Sequence, residues 1–356
     1  MCAPSWGDTQ VPPYKNCSLS ANRFETRPDP IIFIDEDFPA PLSPGLIEWK
    51  SGRNGQPREE SAMKLDRESK ELIPSSLSGA TNLIDNMLII SNLLTENRKP
   101  KTENGITGPG QQTAYFGYRQ VSAAAKGKLV HQHFDTVARK YDLMNTLLSF
   151  GLHHLWKRAA VRMMELKPRM RVLDVCGGTA DLALRAARTM GDSGSVIVYD
   201  INWAMMAAGW PKVAGSTLAP RIGYIQGDAE RLSCPDASFD AAMVGFGIRN
   251  LTRPEVGFQE LFRVLKPGGT MMCLEFSRPK TAWFRRLYDF YSFYVMPVIG
   301  RIMVGSEEAY TYLPESIRMF SQPEELSAVL NGIGFTRVRF RRLTDGIAVI
   351  YLGVKP

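Results

Sequence analysis

The feature that most constrains this chain is the string from Asp174 to Asp181, where an apolar run ends in an acid and passes into two glycines. Arg171–Val175 predicts a short buried strand, and the Ala/Leu/Arg pattern from Asp181 to Met190 predicts a helix. Glycines directly after a strand let the backbone turn tightly and approach a ligand where the next helix begins. The string therefore predicts a nucleotide-like loop, with an ordinary strand-to-helix turn as the alternative.

Alternation of strand and helix patterns continues from about residue 120 to the C-terminus. Further strands are predicted at Ser195–Asp200, Ile222–Gln226, Phe239–Gly245, Thr270–Phe276, Arg337–Leu343 and Ile347–Val354, and further helices at Ile201–Trp210 and Arg253–Leu265. Such alternation indicates an α/β fold with a mostly parallel sheet and helices on both faces. Because Thr344-Asp345-Gly346 joins the last two strands, they are predicted to form an antiparallel hairpin. The Leu265–Gly269 string predicts a helix stop followed by a turn.

A second acidic residue indicates which class of ligand the loop would bind. Asp200 lies at the end of the second strand, where a carboxylate can accept hydrogen bonds from both hydroxyls of a ribose. Gly227-Asp228-Ala229 follows the third strand, where it can reach the edge of an adenine ring. The dinucleotide fingerprint GxGxxG and the phosphate loop GxxxxGK[ST] are both absent from the chain. The pattern favours an adenosine-containing ligand over a dinucleotide.

The amino-acid composition differs between the N-terminal and the C-terminal parts of the chain. Twelve of the 23 prolines lie in residues 1–110, and residues 1–120 hold 13 Lys and Arg against 15 Asp and Glu. The rest holds 30 against 21, so the positive net charge belongs there. We predict a Pro-rich, irregular and largely disordered extension over 1–120 and one domain over 121–356. The alternative is that the natural chain begins at Met63 or Met87. Five cysteines without a CxxC pair indicate a reducing compartment rather than a disulfide scaffold.

No targeting signal stands out, so a cytoplasmic location is expected. Early acids such as Asp8 and Glu25 disfavour import into the mitochondrial matrix. The longest nearly apolar run, from Tyr288 to Val304, is interrupted by charges and a proline and is too short to span a bilayer. Its five aromatic residues within Tyr288–Tyr294 fit either core packing or, with Trp283, Arg285 and Arg286, a lid that rests peripherally on the inner face of an anionic membrane.

Longer strings carry a specific resemblance. The two acids, the glycine loop and Leu265–Gly269 resemble class I S-adenosylmethionine-dependent methyltransferases with a Rossmann-like, seven-stranded sheet. Residues 128–356 further resemble the ubiquinone/menaquinone biosynthesis C-methyltransferase family. The strings that carry this likeness are Phe134-Asp135, Lys140–Asn145, Leu148–Gly151, Leu155–Arg158, Phe246–Asn250, Leu274–Ser277, Tyr291–Phe293 and Glu315–Arg318.

This resemblance implies S-adenosyl-L-methionine as cofactor and a polyprenylated quinol as substrate. Its cofactor contacts fall on Gly177, Thr179, Asp200, Asp228 and Ala229. Three positions depart from the family pattern: Ala180 replaces the third loop glycine, Asp228 stands where some members have Asn, and Gly245 replaces a frequent Ser. The extra methyl group of Ala180 is expected to be tolerated if its φ is negative.

Four residues are candidates for the chemistry on the acceptor side. A ring carbon becomes nucleophilic when the neighbouring phenolic hydroxyl loses its proton, and Arg249 can stabilise the resulting charge. Asn250 can orient the hydroxyl or a water molecule. Asp142, beside Tyr141, is the hypothetical proton acceptor, the alternative being that it caps a helix or pairs with Lys140 or Arg139.

The sequence allows other interpretations of the function. The acceptor can be another small molecule, although scattered Lys and Arg argue against nucleic acid. Alternatively, the chain is a non-catalytic subunit of a quinone-synthesis complex, which the changes at Ala180 and Gly245 would favour. No metal is expected, since His131, His133, His153 and His154 lack the spacing of a zinc site. The sequence does not decide whether the protein forms a homodimer. It also does not decide whether the substrate is a precursor of menaquinone or of ubiquinone.

Overall fold

A computed structural model describes residues 32–34, 113–304 and 308–356 of the chain. The strands are β1 Ile32–Ile34, β2 Thr113–Phe116, β3 Arg119–Ser122, β4 Arg171–Val175, β5 Ser195–Asp200, β6 Ile222–Gln226, β7 Phe239–Gly245, β8 Leu265–Phe276, β9 Thr336–Leu343 and β10 Ala348–Val354. The helices are α1 Ala123–Val137, α2 Tyr141–Leu148, α3 Leu152–Met163, α4 Asp181–Thr189, α5 Trp203–Ala214, α6 Pro254–Val264, α7 Ala282–Phe290, α8 Met296–Val304, α9 Glu308–Met319 and α10 Pro323–Ile333.

The predicted α/β fold is confirmed. The main sheet runs in the order β1-β6-β5-β4-β7-β8-β10-β9, parallel as far as β8, with β10 antiparallel to both of its neighbours. Seven of these strands are the predicted ones. The eighth, β1, pairs in parallel with β6, so that Ile32 lies opposite Tyr224. Apart from that strand, the extension up to residue 112, including Met63 and Met87, lies outside the described residues.

Among the strands, β8 differs most from its prediction. β8 begins at Leu265, directly after α6, rather than at Thr270. The Gly268 amide donates to the Lys355 carbonyl at 2.8 Å, and the Lys355 amide donates to the Gly269 carbonyl at 3.0 Å. These two hydrogen bonds tie the predicted turn, in which Gly268 has a φ of +78°, to the segment that follows β10.

Both faces of the sheet are buried, which explains why the strands are apolar runs rather than alternating ones. Val172 and Leu173, neighbours on β4 with no exposed surface, belong to core clusters on opposite faces. One cluster includes residues of α3, α4 and α5, and the other includes residues of α6 and α10. The carboxyl ends of β4 to β7 thus meet at one edge, where parallel α/β sheets bind ligands.

Smaller elements cover that edge. The β2–β3 hairpin packs against α1 and α9. The aromatic stretch predicted as core or lid forms the end of α7 and a π-helical segment at Tyr291–Val295, which continues into α8. Phe293 is buried, with the Arg318 guanidinium 4.3 Å from its ring centroid, so this part of the stretch packs inward. Within the described residues, no helix combines the length and apolar character needed to cross a bilayer.

Candidate active site

A cavity opens at the carboxyl edge of the sheet. It is bordered by the loops that follow β4, β5, β6 and β7 and by residues of α1 and α2. All five residues predicted to contact the cofactor line it, and so do two of the four predicted for the chemistry. These seven are Gly177, Thr179, Asp200, Asp228, Ala229, Tyr141 and Asn250.

The glycine loop is shaped by its own backbone. A side chain at Gly177 would lie 2.8 Å from the Asp174 carbonyl oxygen, and Gly178 has a φ of +46°, which favours glycine. The Gly178 amide donates to Asp200 Oδ2 at 2.8 Å, and the Asn202 amide donates to Asp200 Oδ1 at 2.8 Å. The loop after β4 and the acid at the end of β5 therefore hold each other in place.

Asp200 keeps the capacity to bind a ribose. A carboxylate has about four lone-pair sites, and the two amide donors occupy only two of them. Burial raises the pKa of Asp200 to about 6, although these amides and the neighbouring His131 favour the charged form. The carboxylate is thus mostly ionised at neutral pH and can accept hydroxyl donors, so this part of the cavity fits the adenosine half of S-adenosylmethionine.

Ala180 does not have the expected negative φ. Its φ is +62°, it is fully buried, and it stands at the N-cap of α4. An alanine in this region costs about 1 kcal/mol relative to glycine, which the surrounding loop must offset. The change at Gly245 has a different explanation, because a Cβ there would collide with the Leu182 side chain.

Two more acids lie in the cavity wall. Asp228 Oδ1 accepts from the Glu230 amide at 2.8 Å, and burial raises the pKa of Asp228. Asp174 is fully buried; its Oδ2 accepts from the Ala183 amide at 3.0 Å, and its Oδ1 has no hydrogen-bond partner among the described residues. Desolvation raises the pKa of Asp174 to about 8, so the carboxyl group is mostly protonated at neutral pH.

Beyond the cofactor loops, Arg249 is buried in an ion pair. Its Nη1 lies 2.9 Å from Glu275 Oε1, and its Nε lies 3.3 Å from Ser316 Oγ. Arg249 borders a smaller pocket with His133 and Tyr312, and this pocket shares Phe134 and Tyr141 with the main cavity. Arg249, Asn250 and Tyr141 thus lie together beside the cofactor loops, and their roles in the chemistry stay predictions.

Asp142 has other partners than the predicted ones. Its Oδ1 accepts from the Thr179 hydroxyl at 2.7 Å, and its Oδ2 pairs with Lys212 at 2.8 Å. It does not belong to the cavity wall. Lys140, one of the partners considered for it, instead donates to the Met303 carbonyl. This geometry favours Asp142 as a residue that holds the glycine loop, and its role as proton acceptor stays a prediction.

Sequence reasoning assigned no role in this region to four residues: His133, which borders the smaller pocket, Lys212, Glu275 and Tyr312. Burial, with Arg249 nearby, lowers the pKa of His133 to about 4, so its imidazole is neutral at pH 7. Lys212 joins Asp142 to Asp181. No local signal in the sequence marks any of these roles, because each depends on a partner distant along the chain.

His153 and His154 of α3 lie close to Asp181, the first residue of α4. His153, His154 and Asp181 present possible metal ligands within 4.8 Å of one another. Asp181, however, pairs with both Lys157 at 2.7 Å and Lys212 at 2.5 Å. Two ammonium groups already neutralise that carboxylate and would repel a cation. The expectation that the protein needs no metal stays a prediction.

Comparison with solved structures gives several weak matches. A possible histamine N-methyltransferase from Thermotoga maritima superposes with a TM-score of 0.45 and 19% identity, covering 64% of this chain and all of that one. A methyltransferase from Aquifex aeolicus gives a TM-score of 0.41 and 18% identity, covering 56% and 89%.

Sequence relatives are much closer. A ubiquinone/menaquinone biosynthesis C-methyltransferase from Azotobacter vinelandii is 42% identical over 246 residues, which is 69% of this chain and 97% of the relative. One from Pseudomonas paraeruginosa is 41% identical, covering 69% and 96%. Residues 121–355 match the ubiE/COQ5 methyltransferase family. The chain therefore belongs to the ubiE/COQ5 methyltransferase family and is an S-adenosylmethionine-dependent C-methyltransferase.

Proposed function

We propose that the protein transfers the methyl group of S-adenosylmethionine to a ring carbon of a polyprenylated quinol. The observation that carries this proposal is the continuity of two regions, because the adenosine-type cavity shares Tyr141 and Phe134 with the pocket of Arg249. The names of its relatives, ubiquinone/menaquinone biosynthesis C-methyltransferases, indicate the class of acceptor.

The bound cofactor supplies an electrophilic methyl group on a sulfonium. The chain's own residues must hold that group in line with the ring carbon and exclude water. Asp200 and the glycine loop fix the adenosine end. On the other side, the Arg249 guanidinium favours the deprotonated form of the acceptor hydroxyl, which makes the neighbouring carbon nucleophilic. Because Glu275 holds Arg249, the guanidinium is preorganised before the acceptor arrives.

The role of Asp142 is open to a direct test. Asp142→Asn keeps an oxygen for the Thr179 hydroxyl and removes the charge that pairs with Lys212. If Asp142 only holds the loop, we expect turnover to fall by less than about tenfold, with an unchanged pH profile. If it accepts the proton, turnover should fall by about 10²–10⁴-fold, the usual contribution of general base catalysis.

A membrane-facing surface would give such an acceptor access. Large apolar side chains are exposed on α2, α3, α7 and α8 and on the turn between α2 and α3. This exposed apolar face consists of Leu143, Leu147, Phe150, Leu155, Trp283, Leu287, Val298 and Ile302. Phe150 contacts Tyr291, their ring centroids 5.7 Å apart, which joins the two groups of helices. We propose that this face rests on an anionic membrane, as a peripheral contact at its cytoplasmic side.

Flotation with liposomes that contain anionic lipid tests this surface. Wild-type protein should float with the vesicles at low salt, and the Phe150→Ser/Trp283→Ser variant should stay in the soluble fraction. A wild-type protein that does not float at low salt would exclude the contact.

The proposed activity is tested by assay with a short-chain demethylmenaquinol and with the matching benzoquinol. We expect methylated product, identified by mass spectrometry, from at least one of them, and the preferred ring names the pathway. Calorimetry with S-adenosylmethionine is the control for a folded cofactor site. Cofactor binding without turnover of either quinol would reject the proposal and favour another acceptor or a non-catalytic subunit.

A further inference from the structure

The amide group of Asn250 has one satisfied end and one free end. Its Oδ1 accepts a hydrogen bond from the Tyr312 hydroxyl at 2.8 Å. Its Nδ2 is buried and has no hydrogen-bond partner among the described residues. Asn250 is only 8% exposed and lines the main cavity, so its amide group belongs to the wall of the space that a ligand would enter. A buried donor without a partner costs free energy, about 1–3 kcal/mol, unless a ligand satisfies it.

The ring of Tyr312 is itself held by contacts with two other rings. Phe116 stacks on one side, with centroids 4.2 Å apart and an interplanar angle of 15°. His133 packs against Tyr312 with a centroid distance of 4.9 Å. The hairpin that carries Phe116 is fastened to α9, because the Tyr118 amide donates to Glu315 Oε2 at 3.2 Å. Phe116 lies before residue 121, where the family match begins.

The Tyr312 hydroxyl is the donor in its hydrogen bond with Asn250. Burial raises the pKa of Tyr312 to about 12, so its hydroxyl keeps its proton at neutral pH and can donate. A donor next to Asn250 fixes the oxygen end of the amide toward Tyr312. The nitrogen end is then the one that remains available to a ligand.

We propose that Tyr312 is a positioning residue, which keeps Asn250 Nδ2 aimed at the ring oxygen beside the carbon that is methylated. This inference rests on the proposed function. The oxygen gains negative charge as its proton leaves, and a fixed N–H donor stabilises that charge without reorganisation. If the amide rotated, its own oxygen would face the anion and repel it. Tyr312 thus acts through Asn250 and need not touch the acceptor.

Tyr312→Phe tests the hydroxyl alone, since the ring and its stacking with Phe116 and His133 are kept. We expect kcat to fall about 10–100-fold, somewhat less than the loss of a direct oxyanion donor, while KM for the quinol and Kd for S-adenosylmethionine stay within about twofold. The kcat profile should also shift to higher pH, because the acceptor hydroxyl loses part of the stabilisation of its anion. The matched control is Tyr224→Phe on β6, which removes a buried hydroxyl that has no hydrogen-bond partner in the described part of the chain.

Coupling between the two residues separates positioning from a structural effect. In an Asn250→Ala background, Tyr312→Phe should lower kcat by less than about twofold, because the amide that it positions is gone. An undiminished effect in that background would overturn the proposal.

A readout without turnover keeps this test independent of the proposed function. In an ¹⁵N-labelled protein, the side-chain amide signals of Asn250 are identified by their loss in Asn250→Ser. They should move in Tyr312→Phe and stay in place in Tyr224→Phe; signals that do not move in Tyr312→Phe would overturn the positioning role. If they move but wild-type protein methylates no quinol, the proposed function fails while the Tyr312–Asn250 contact stands.

Discussion

The two sides of the active site are built in different ways. On the cofactor side, the backbone amides of Gly178 and Asn202 donate to the Asp200 carboxylate, at the ends of adjacent strands. On the acceptor side, the contacts run between side chains far apart in sequence, such as Arg249 with Glu275 and Asn250 with Tyr312. The cofactor side is thus fixed by the sheet itself, whereas the acceptor side depends on how α1, α2, α9 and the hairpin pack over the sheet.

The largest expected effect tests whether the acceptor side can be disrupted while the cofactor side still binds S-adenosylmethionine. Glu275→Leu leaves the buried Arg249 without its counter-charge, so we expect the free energy of unfolding to fall by about 3–5 kcal/mol in urea denaturation. Arg249→Met/Glu275→Leu should recover most of that loss and remain inactive. Its Kd for S-adenosylmethionine should stay within about threefold of wild type; a larger change would show that the two sides are not separable.

Asp200→Asn is the opposite experiment. The amide nitrogen would face a backbone N–H of Gly178 or Asn202, and one acceptor for the ribose is lost. We expect cofactor affinity to fall about 10–100-fold by calorimetry, since hydrogen bonds to charged groups contribute about 1.5–3 kcal/mol. kcat at saturating cofactor should change little. Asp240→Asn, which alters a carboxylate that accepts the Arg171 amide at the opposite end of the sheet, is the control.

Asp174 should make stability depend on pH. The pKa of its carboxyl group is about 8 in the folded state, against an ordinary value of 3.8, so the folded state holds a proton that the unfolded state has lost. Stability therefore falls as pH rises between these values. His133 and His153, with pKa values lowered to about 4, act in the opposite direction, but only below about pH 6.5.

Between pH 6.5 and 8 we thus expect the free energy of unfolding to drop by about 1–2 kcal/mol, measured by urea denaturation at each pH. Asp174→Asn should flatten this slope. A wild-type stability that rises over this interval would contradict the assignment.

Ala180→Gly gives the smallest expected effect and sharpens the view of the cofactor side as backbone-determined. Glycine relieves the positive φ, so we expect about 1 kcal/mol more stability and a Tm higher by about 2–4 °C in calorimetry. Ala187→Gly, in the interior of the same helix, should lower stability instead. Equal losses in both variants would show that the loop is not strained at Ala180.

The sequence predicted the cofactor side of the site better than the acceptor side. Arg171–Val175, Ser195–Asp200 and Phe239–Gly245 were predicted to the residue, because a fully buried strand leaves an apolar run between turn signals. The helix predicted from Ile201 begins at Trp203, since the Asn202 side chain caps it by accepting from the Met205 amide at 2.9 Å. Local patterns thus defined the cofactor side.

The acceptor side was predicted only where the family strings named it, as at Arg249 and Asn250. The stacking of Phe116 on Tyr312 joins residues 196 positions apart, and no periodicity in either segment encodes that contact. The φ of Ala180 was missed for a similar reason, because the turn between β4 and α4 fixes it and the residue type does not.

The bond from Asp142 to Thr179 joins the first turn of α2 to the glycine loop. Thermodynamic linkage requires that, if a ligand on one side strengthens or weakens this bond, the ligand on the other side feels the same change in free energy. The methyl donor and the acceptor would then change each other's binding affinity through one shared hydrogen bond. The release of one product would change the residence time of the other.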